Sequence, residues 1–218
     1  MAPIHDAAIT GNLKEVMRLI QKDNDNVDDN DGFARTPLHY ASGYGHVEVV
    51  SYLLDHGANI NRTDDFDATA LFHACRSGHL LLVELLLSRG ADPTICTDDG
   101  RTPLLVASSE GRVDVVRCLV RNKAVRATID AQNSNGLTSL WHASIANRVE
   151  VVKVLVEAGA NPMMTDSSGG TPLGISKVMG HEVCITILEV SSKHQLGSQP
   201  ALYIVADITV MYAGPPYF

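Results

Sequence analysis

The 218-residue chain lacks most features that would assign a chemistry at sight. No dense Lys/Arg cluster offsets a formal net charge of -8, so no basic face is offered to nucleic-acid phosphates. The start, Met1-Ala2-Pro3-Ile4-His5-Asp6, has neither the charged leader nor the apolar run of a secretory signal. That predicts a cytoplasmic or nuclear protein. Four cysteines, Cys75, Cys96, Cys118 and Cys184, form no C-x-x-C pair, and three lie in apolar helical patterns, which predicts buried, reduced thiols. No H-E-x-x-H, G-x-S-x-G, P-loop or G-x-G-x-x-G run occurs. The apolar segment from Ala201 to Tyr212 is too short to span a bilayer. These absences argue against an enzyme, a bound cofactor or metal, a nucleic-acid partner and a membrane partner. At 45% hydrophobic and 19% charged residues, the chain is not a disordered one either.

What is present is repetition. Thr36-Pro37-Leu38-His39-Tyr40-Ala41 returns as Thr69-Ala70-Leu71-Phe72-His73-Ala74 and Thr102-Pro103-Leu104-Leu105-Val106-Ala107. Two more copies are Thr138-Ser139-Leu140-Trp141-His142-Ala143 and Thr171-Pro172-Leu173-Gly174-Ile175-Ser176, giving intervals of 33, 33, 36 and 33 residues. A period of this size predicts a stack of one small unit, each burying its apolar face against its neighbours. Within the unit from Asp31 to Asn61, Thr36 is placed to cap a helix and Pro37 fits its first position. A second helix is predicted from about Val47 to Asp55, with Val49, Val50, Leu53 and Leu54 on its apolar face. Gly57 then suits a left-handed helix end, and the acidic segment beyond it suits a tight turn.

The Thr-Pro-Leu-His-x-Ala opening, Gly45-His46-Val47-Glu48-Val49-Val50 and Leu53-Leu54-x-x-Gly57-Ala58-Asn59 closely resemble the ankyrin repeat family. Gly78-His79 with Leu85 to Asp92, and Val151 to Asn161, repeat the match. The resemblance covers residues 2–190 and implies an all-α solenoid of antiparallel helix pairs with a β-hairpin-like loop at each junction. Six units are expected, near 2–30, 31–63, 64–96, 97–132, 133–165 and 166–190, followed by a divergent tail, 191–218. Polar outer helices at each end, Leu13 to Gln21 and the stretch from Glu189 to Gln195, suit caps.

Several copies depart from the pattern. The fourth junction is three residues longer, and Val125-Arg126-Ala127 are the expected insertion, placed at a loop tip. Family resemblance makes the motif His a bridge between adjacent loops; Phe72, Leu105, Trp141 and Gly174 replace His39, so those junctions are expected to lose a polar tie. The tail segment 201–212 reads as a strand or an aggregation-prone stretch. It could also open a further domain.

Polar side chains divide by role. His46, His79 and His181 recur one repeat or more apart, about 10 Å at the least, too far to share a zinc ion. Asp31, Asp64 and Asp166 stand five residues before the motif Thr, with Thr97 and Asn133 in the same place, and are expected to order the turns through backbone hydrogen bonds. Asp28, Asp29, Asp65, Asp67, Asp98 and Asp99 are expected as solvated tips that make one edge acidic, which suits a basic partner segment. Asn61 resembles the setting that ankyrin proteins offer an asparaginyl hydroxylase, although Asn59 replaces the usual acidic residue; the residues themselves favour a turn role.

A solenoid displays a long open surface, and the resemblance places partners along hairpin tips and inner-helix ends. The corresponding residues are Phe33, Arg35, Tyr44, Asp65, Phe66, Arg76, Asp98, Asp99, Arg101 and Glu110. Exposed aromatics and Arg carry most interface energy, so Phe33, Phe66 and Tyr44 rank first, unless the two Phe pack on their own hairpins. The expectation is a monomeric, non-catalytic adaptor that binds another protein, or alternatively the regulatory or targeting arm of a larger enzyme or channel.

Overall fold

The computed structural model describes residues 2–22 and 27–196, and among them the regular structure is helical, with one isolated bridge, Thr63 to Thr69. Helices come in antiparallel pairs: α1 (Pro3–Thr10) with α2 (Leu13–Lys22), α3 (Pro37–Tyr44) with α4 (Val47–Asp55), and α5 (Ala70–Ser77) with α6 (Leu80–Ser88). They continue as α7 (Pro103–Ser109) with α8 (Val113–Leu119), a short α9 (Lys123–Ala127), α10 (Ser139–Ile145) with α11 (Val149–Glu157), and α12 (Pro172–Met179) with α13 (Glu182–Leu196). Threonine starts the inner helices: the side chains of Thr69, Thr102, Thr138 and Thr171 accept from the amides of Phe72, Leu105, Trp141 and Gly174.

Stacking is between neighbours. Inner helices pack in the order α1, α3, α5, α7, α10, α12, and outer helices in the order α2, α4, α6, α8, α11, α13. One position of each internal outer helix is fully buried in every copy: Leu53, Leu86, Leu119 and Leu155. Val50, Val83, Val116 and Val152 repeat the pattern one turn earlier. Each such side chain contributes about 1.5–3 kcal/mol through burial, which is why single polar departures leave the stack standing.

A second set of bonds runs along the stack. His46 Nε2 bonds the Ile9 carbonyl at 2.8 Å and His79 Nε2 that of Gly43 at 3.1 Å. Arg112 Nε donates to Arg76 O at 3.1 Å, and Arg148 Nε to Ser109 O at 3.2 Å. The imidazole or guanidinium needs room that only glycine leaves: at Gly45 (φ 83°) an added Cβ would lie 2.8 Å from the His79 ring. Asn147 (φ 52°) replaces that glycine in the fifth repeat, and the following His181 bonds Ser144 O through Nδ1 rather than Nε2.

The turns are ordered as their spacing predicts. Oδ1 of Asp31 accepts from Phe33 and Arg35, that of Asp64 from Phe66 and Ala68, and that of Asp166 from Ser168 and Gly170. Asn133 does the same for Asn135 and Leu137, while Thr97 Oγ1 accepts from Arg101.

Four expectations need correction. Asp28 is not a free tip: its carboxylate accepts from the Asn59 amide of the next repeat, as Asp130 does from Asn161 and Asn61 from Asp92. Asn61 is therefore a tie between repeats. The insertion is not at a loop tip; it folds as α9, capped by Asn122, with Val125 buried and Ile129 beside it in the core. An apolar side chain every fourth position gave that segment a face to bury. The thiols are all reduced, but Cys96 is exposed and Cys118 half-buried, leaving Cys75 and Cys184 buried. Burial pushes the Cys75 thiol far up, so it stays protonated. Last, Ser191 and Ser192 are buried rather than facing water, with Ser192 Oγ donating back to Leu188 O, and α13 runs past residue 190 to Leu196. At the other end Lys14, Arg18 and Gln21 are exposed, as a cap requires. The segment 201–212 lies outside the described residues.

Candidate protein-binding surface

Hairpin tips are stitched to one another through the backbone. Asp65 N donates to Phe33 O at 3.0 Å, Asp98 N to Phe66 O at 3.1 Å, Ser134 N to Asp99 O, and Ser167 N to Asn135 O. Phe33 and Phe66 therefore hold equivalent positions one repeat apart, and their rings do not fold back on the hairpins: they are 56% and 48% exposed. Between them stands the Arg35 guanidinium, 5.6 Å from the Phe33 ring centre and 5.9 Å from that of Phe66. Both distances are within cation–π range. The same guanidinium donates through Nε to Asp64 Oδ2 at 3.3 Å, so a buried carboxylate anchors the exposed aromatic pair.

Asp64 organises this end of the surface. Its side chain is wholly buried, and Oδ2 also meets His73 Nε2 at 3.0 Å. Burial alone would raise the carboxyl; the bonds from His73, Phe66 and Ala68 outweigh it and hold the group well below the usual carboxylate range. His39 lies edge-on to His73, ring centres 5.8 Å apart. His39 Nδ1 accepts from the Thr36 amide, which puts its proton on Nε2, and Nε2 donates to Arg62 O at 2.9 Å. Burial, helped by His73 and opposed by Asp64, lowers His39 to about 4. His5 makes the corresponding bonds in the first repeat, to Asp29 O and Arg35 O. Where Phe72 replaces the motif His, the next residue, His73, anchors its own turn instead.

Beneath the tips an open cleft of ≈ 300 Å³ is lined by Arg35, His39, Tyr40, Gly43, Tyr44, His73, Arg76 and Ser77. It brings together three site residues named from sequence, Arg35, Tyr44 and Arg76, with five that were not: His39, Tyr40, Gly43, His73 and Ser77. Tyr44 is 58% exposed and stacks parallel to His46. Asp65, Phe66 and Phe33 stand above on the tips. Asp98, Asp99 and Arg101 form a separate group on the next tip, where Asp99 pairs with Arg101 at 2.8 Å, and Glu110 stands exposed at the end of α7.

Exposed apolar side chains also occur further along the inner helices. Val178 (80% exposed) and Met179 (51%) occupy, in α12, the same offset from the motif Thr as Arg76 and Ser77 in α5 and Ser109 and Glu110 in α7. From α5 onward the inner-helix ends thus change from charged to apolar along the stack. Counting seven and eight residues on from each motif Thr would have found them.

Among the described residues no group of three or more His, Cys, Asp or Glu could hold a metal ion. Nor is any described helix long and apolar enough to cross a membrane. A family model for ankyrin repeats (3 copies) matches residues 4–97 and 71–166. A palmitoyltransferase of the yeast Lachancea kluyveri is 46% identical over 55 residues, which is 25% of this chain and 8% of that protein. The chain thus spans a small part of that relative. An ankyrin repeat domain from Acinetobacter baumannii superposes with a TM-score of 0.76 at 27% identity, covering 87% of this chain and 97% of that one. The ankyrin repeat domain of Bcl-3, of the IkappaB protein family, gives 0.77 at 27% identity over 96% and 98%. With its motif, helix pairs and matched span in agreement, the chain belongs to the ankyrin repeat family.

Proposed function

We propose that the chain is a non-catalytic adaptor that grips a partner protein along the hairpin tips and inner-helix ends from Phe33 to Glu110. Ankyrin repeats are protein-interaction modules, and the fold is generally non-catalytic. One observation carries the reading here: three large aromatic side chains, Phe33, Phe66 and Tyr44, are about half exposed on adjoining repeats and held in fixed positions. Leaving them in water has a cost that a partner's surface removes. Asp65, Asp67 and Asp98 crown the same tips, all exposed, so a partner segment bearing Lys or Arg complements them. In this reading the repeats, from residue 2 to the end of α13 at Leu196, work as one domain of a monomeric cytoplasmic or nuclear protein.

The test replaces Phe33, Phe66 and Tyr44 with Ala and compares partner capture and thermal midpoint with the unaltered protein. Capture falls at least tenfold, as for the loss of hot-spot residues worth about 2 kcal/mol or more, and the midpoint holds. A lowered midpoint with capture retained contradicts the proposal.

A second reading has its own support. The palmitoyltransferase match covers only repeats, within a protein of which this chain spans 8%. The repeats would then serve as the targeting or regulatory arm of a larger enzyme or channel. Sequencing the complete transcript separates the two.

A further inference from the structure

The unusual repeat carries an unusual charge. On the outer-helix side, a cleft of ≈ 240 Å³ is lined by Arg117, Val120, Arg121, Arg126, Val154, Glu157 and Ala158. Three guanidiniums converge there against one carboxylate, in a chain whose net charge is -8. The linear sequence hid this group, because it is assembled from two helices. Arg117, near the end of α8, and Arg121, just past it, are four residues apart and so share a face. Arg126 comes from α9, the insertion that no other repeat has; the Asn122 cap and the buried Val125 fix α9 against the stack.

All three Arg are exposed, and none makes an ion pair with any described residue. Several cations elsewhere do have a carboxylate partner: Arg18 has Glu15, Arg89 has Asp55, Lys153 has Glu150 and Lys177 has Glu189. Holding three like charges around a single carboxylate leaves an excess of positive charge, and an anion relieves it. Guanidinium is the group best shaped for phosphate, since its planar fork donates two parallel bonds to adjacent oxygens.

We infer that this cleft binds a phosphorylated side chain presented by a partner peptide. A phosphoserine or phosphothreonine carries about two negative charges at neutral pH, which the lining matches once Glu157 is set against the three Arg. The acidity of the rest of the chain repels an extended polyanion, so nucleic acid and anionic bilayers are disfavoured and a compact dianion is selected. Val120, Val154 and Ala158 supply an apolar floor for the residues flanking the phosphate. The site is separate from the aromatic surface, and it makes binding depend on the partner's phosphorylation.

The experiment is fluorescence anisotropy on the full chain, with a labelled peptide library degenerate around a central phosphoserine and the same library unphosphorylated. The phosphorylated library binds roughly tenfold or more tightly, and the Arg117→Gln/Arg126→Gln variant loses that preference, as expected for charge-assisted phosphate contacts. Glu157→Gln tightens binding severalfold, a gain that damage to the fold would not produce. The preference survives in the Phe33→Ala/Phe66→Ala/Tyr44→Ala variant, so failure here and failure of the adaptor reading are distinguishable. Equal binding of both libraries overturns the inference. So does competition by inorganic phosphate at the same concentration as peptide, or a preference for phosphatidylserine vesicles or single-stranded DNA over the phosphopeptide.

Discussion

Asp64 gives the sharpest test of how a buried carboxylate holds the binding surface. Its side chain is wholly buried, and its oxygens take the Phe66 and Ala68 amides at 3.0 Å each, His73 Nε2 at 3.0 Å and Arg35 Nε at 3.3 Å. Asp64→Ala strands those donors. Phe66 is exposed and its amide finds water; Arg35 is partly solvated and loses little. The Ala68 amide and His73 are buried and carry the loss, at about 1–3 kcal/mol for each unsatisfied donor. The expected cost is therefore roughly 3–4 kcal/mol, and at about 2–4 °C per kcal/mol in a domain of this size the thermal midpoint falls by about 10 °C. Asp64→Asn is the control that the chain itself supplies, because Asn133 occupies the same position and accepts from Asn135 and Leu137 at 3.0 and 2.9 Å. Asn keeps the two turn bonds through its one oxygen but sets an NH2 where Oδ2 accepted from Arg35 and met His73, which costs about 1–2 kcal/mol, less than Ala. Circular dichroism melts with urea titrations separate the two variants. Equal losses for Ala and Asn would refute the idea that turn bonds dominate.

The pH dependence of the same group has a fixed sign. Because the folded state holds Asp64 in its charged form, its contribution is complete above the ordinary Asp value of about 3.9 and disappears as the pH falls below it. Asp64→Asn should remove that acid-side slope.

Further predictions concern the histidine tie and the insertion. Burial lowers His39 to about 4, against roughly 6.5 in the unfolded chain. The unfolded state binds the extra proton between those values, so stability is full above pH 6.5 and declines towards pH 4. Urea midpoints measured across that range should flatten in His39→Gln; an unchanged slope would place the titration elsewhere. Val125→Ala should cost about 2 kcal/mol, read as a shift in urea midpoint, whereas the exposed neighbour Ala124→Ser should cost almost nothing. Equal, negligible effects would mean that α9 merely decorates the surface.

The repeat, its helix limits and its turn acids were legible because each is written locally. Val47–Asp55 is a predicted helix and an observed one, and Asp31, Asp64 and Asp166 sit where turn geometry needs an acceptor. What escaped depends on contacts between repeats. Asp28, Asn61 and Asp130 do one job with different side chains, so no motif flags them. Arg35 reads as an exposed tip residue, yet it reaches a carboxylate in the following repeat while lying between two rings from different repeats. The basic cleft joins residues from α8, α9 and α11, and only α9's fold, set by one buried valine, brings Arg126 into it.

Neighbour-only stacking is the claim on which the surface assignments rest, and hydrogen exchange read by mass spectrometry in Leu155→Ala tests it most directly. Leu155 is fully buried, so the change costs about 2–5 kcal/mol. In a stack held by neighbours the loss loosens α10 through α13 and leaves exchange in α1 through α4 at its original rate. Equal acceleration at both ends of the chain would contradict the account.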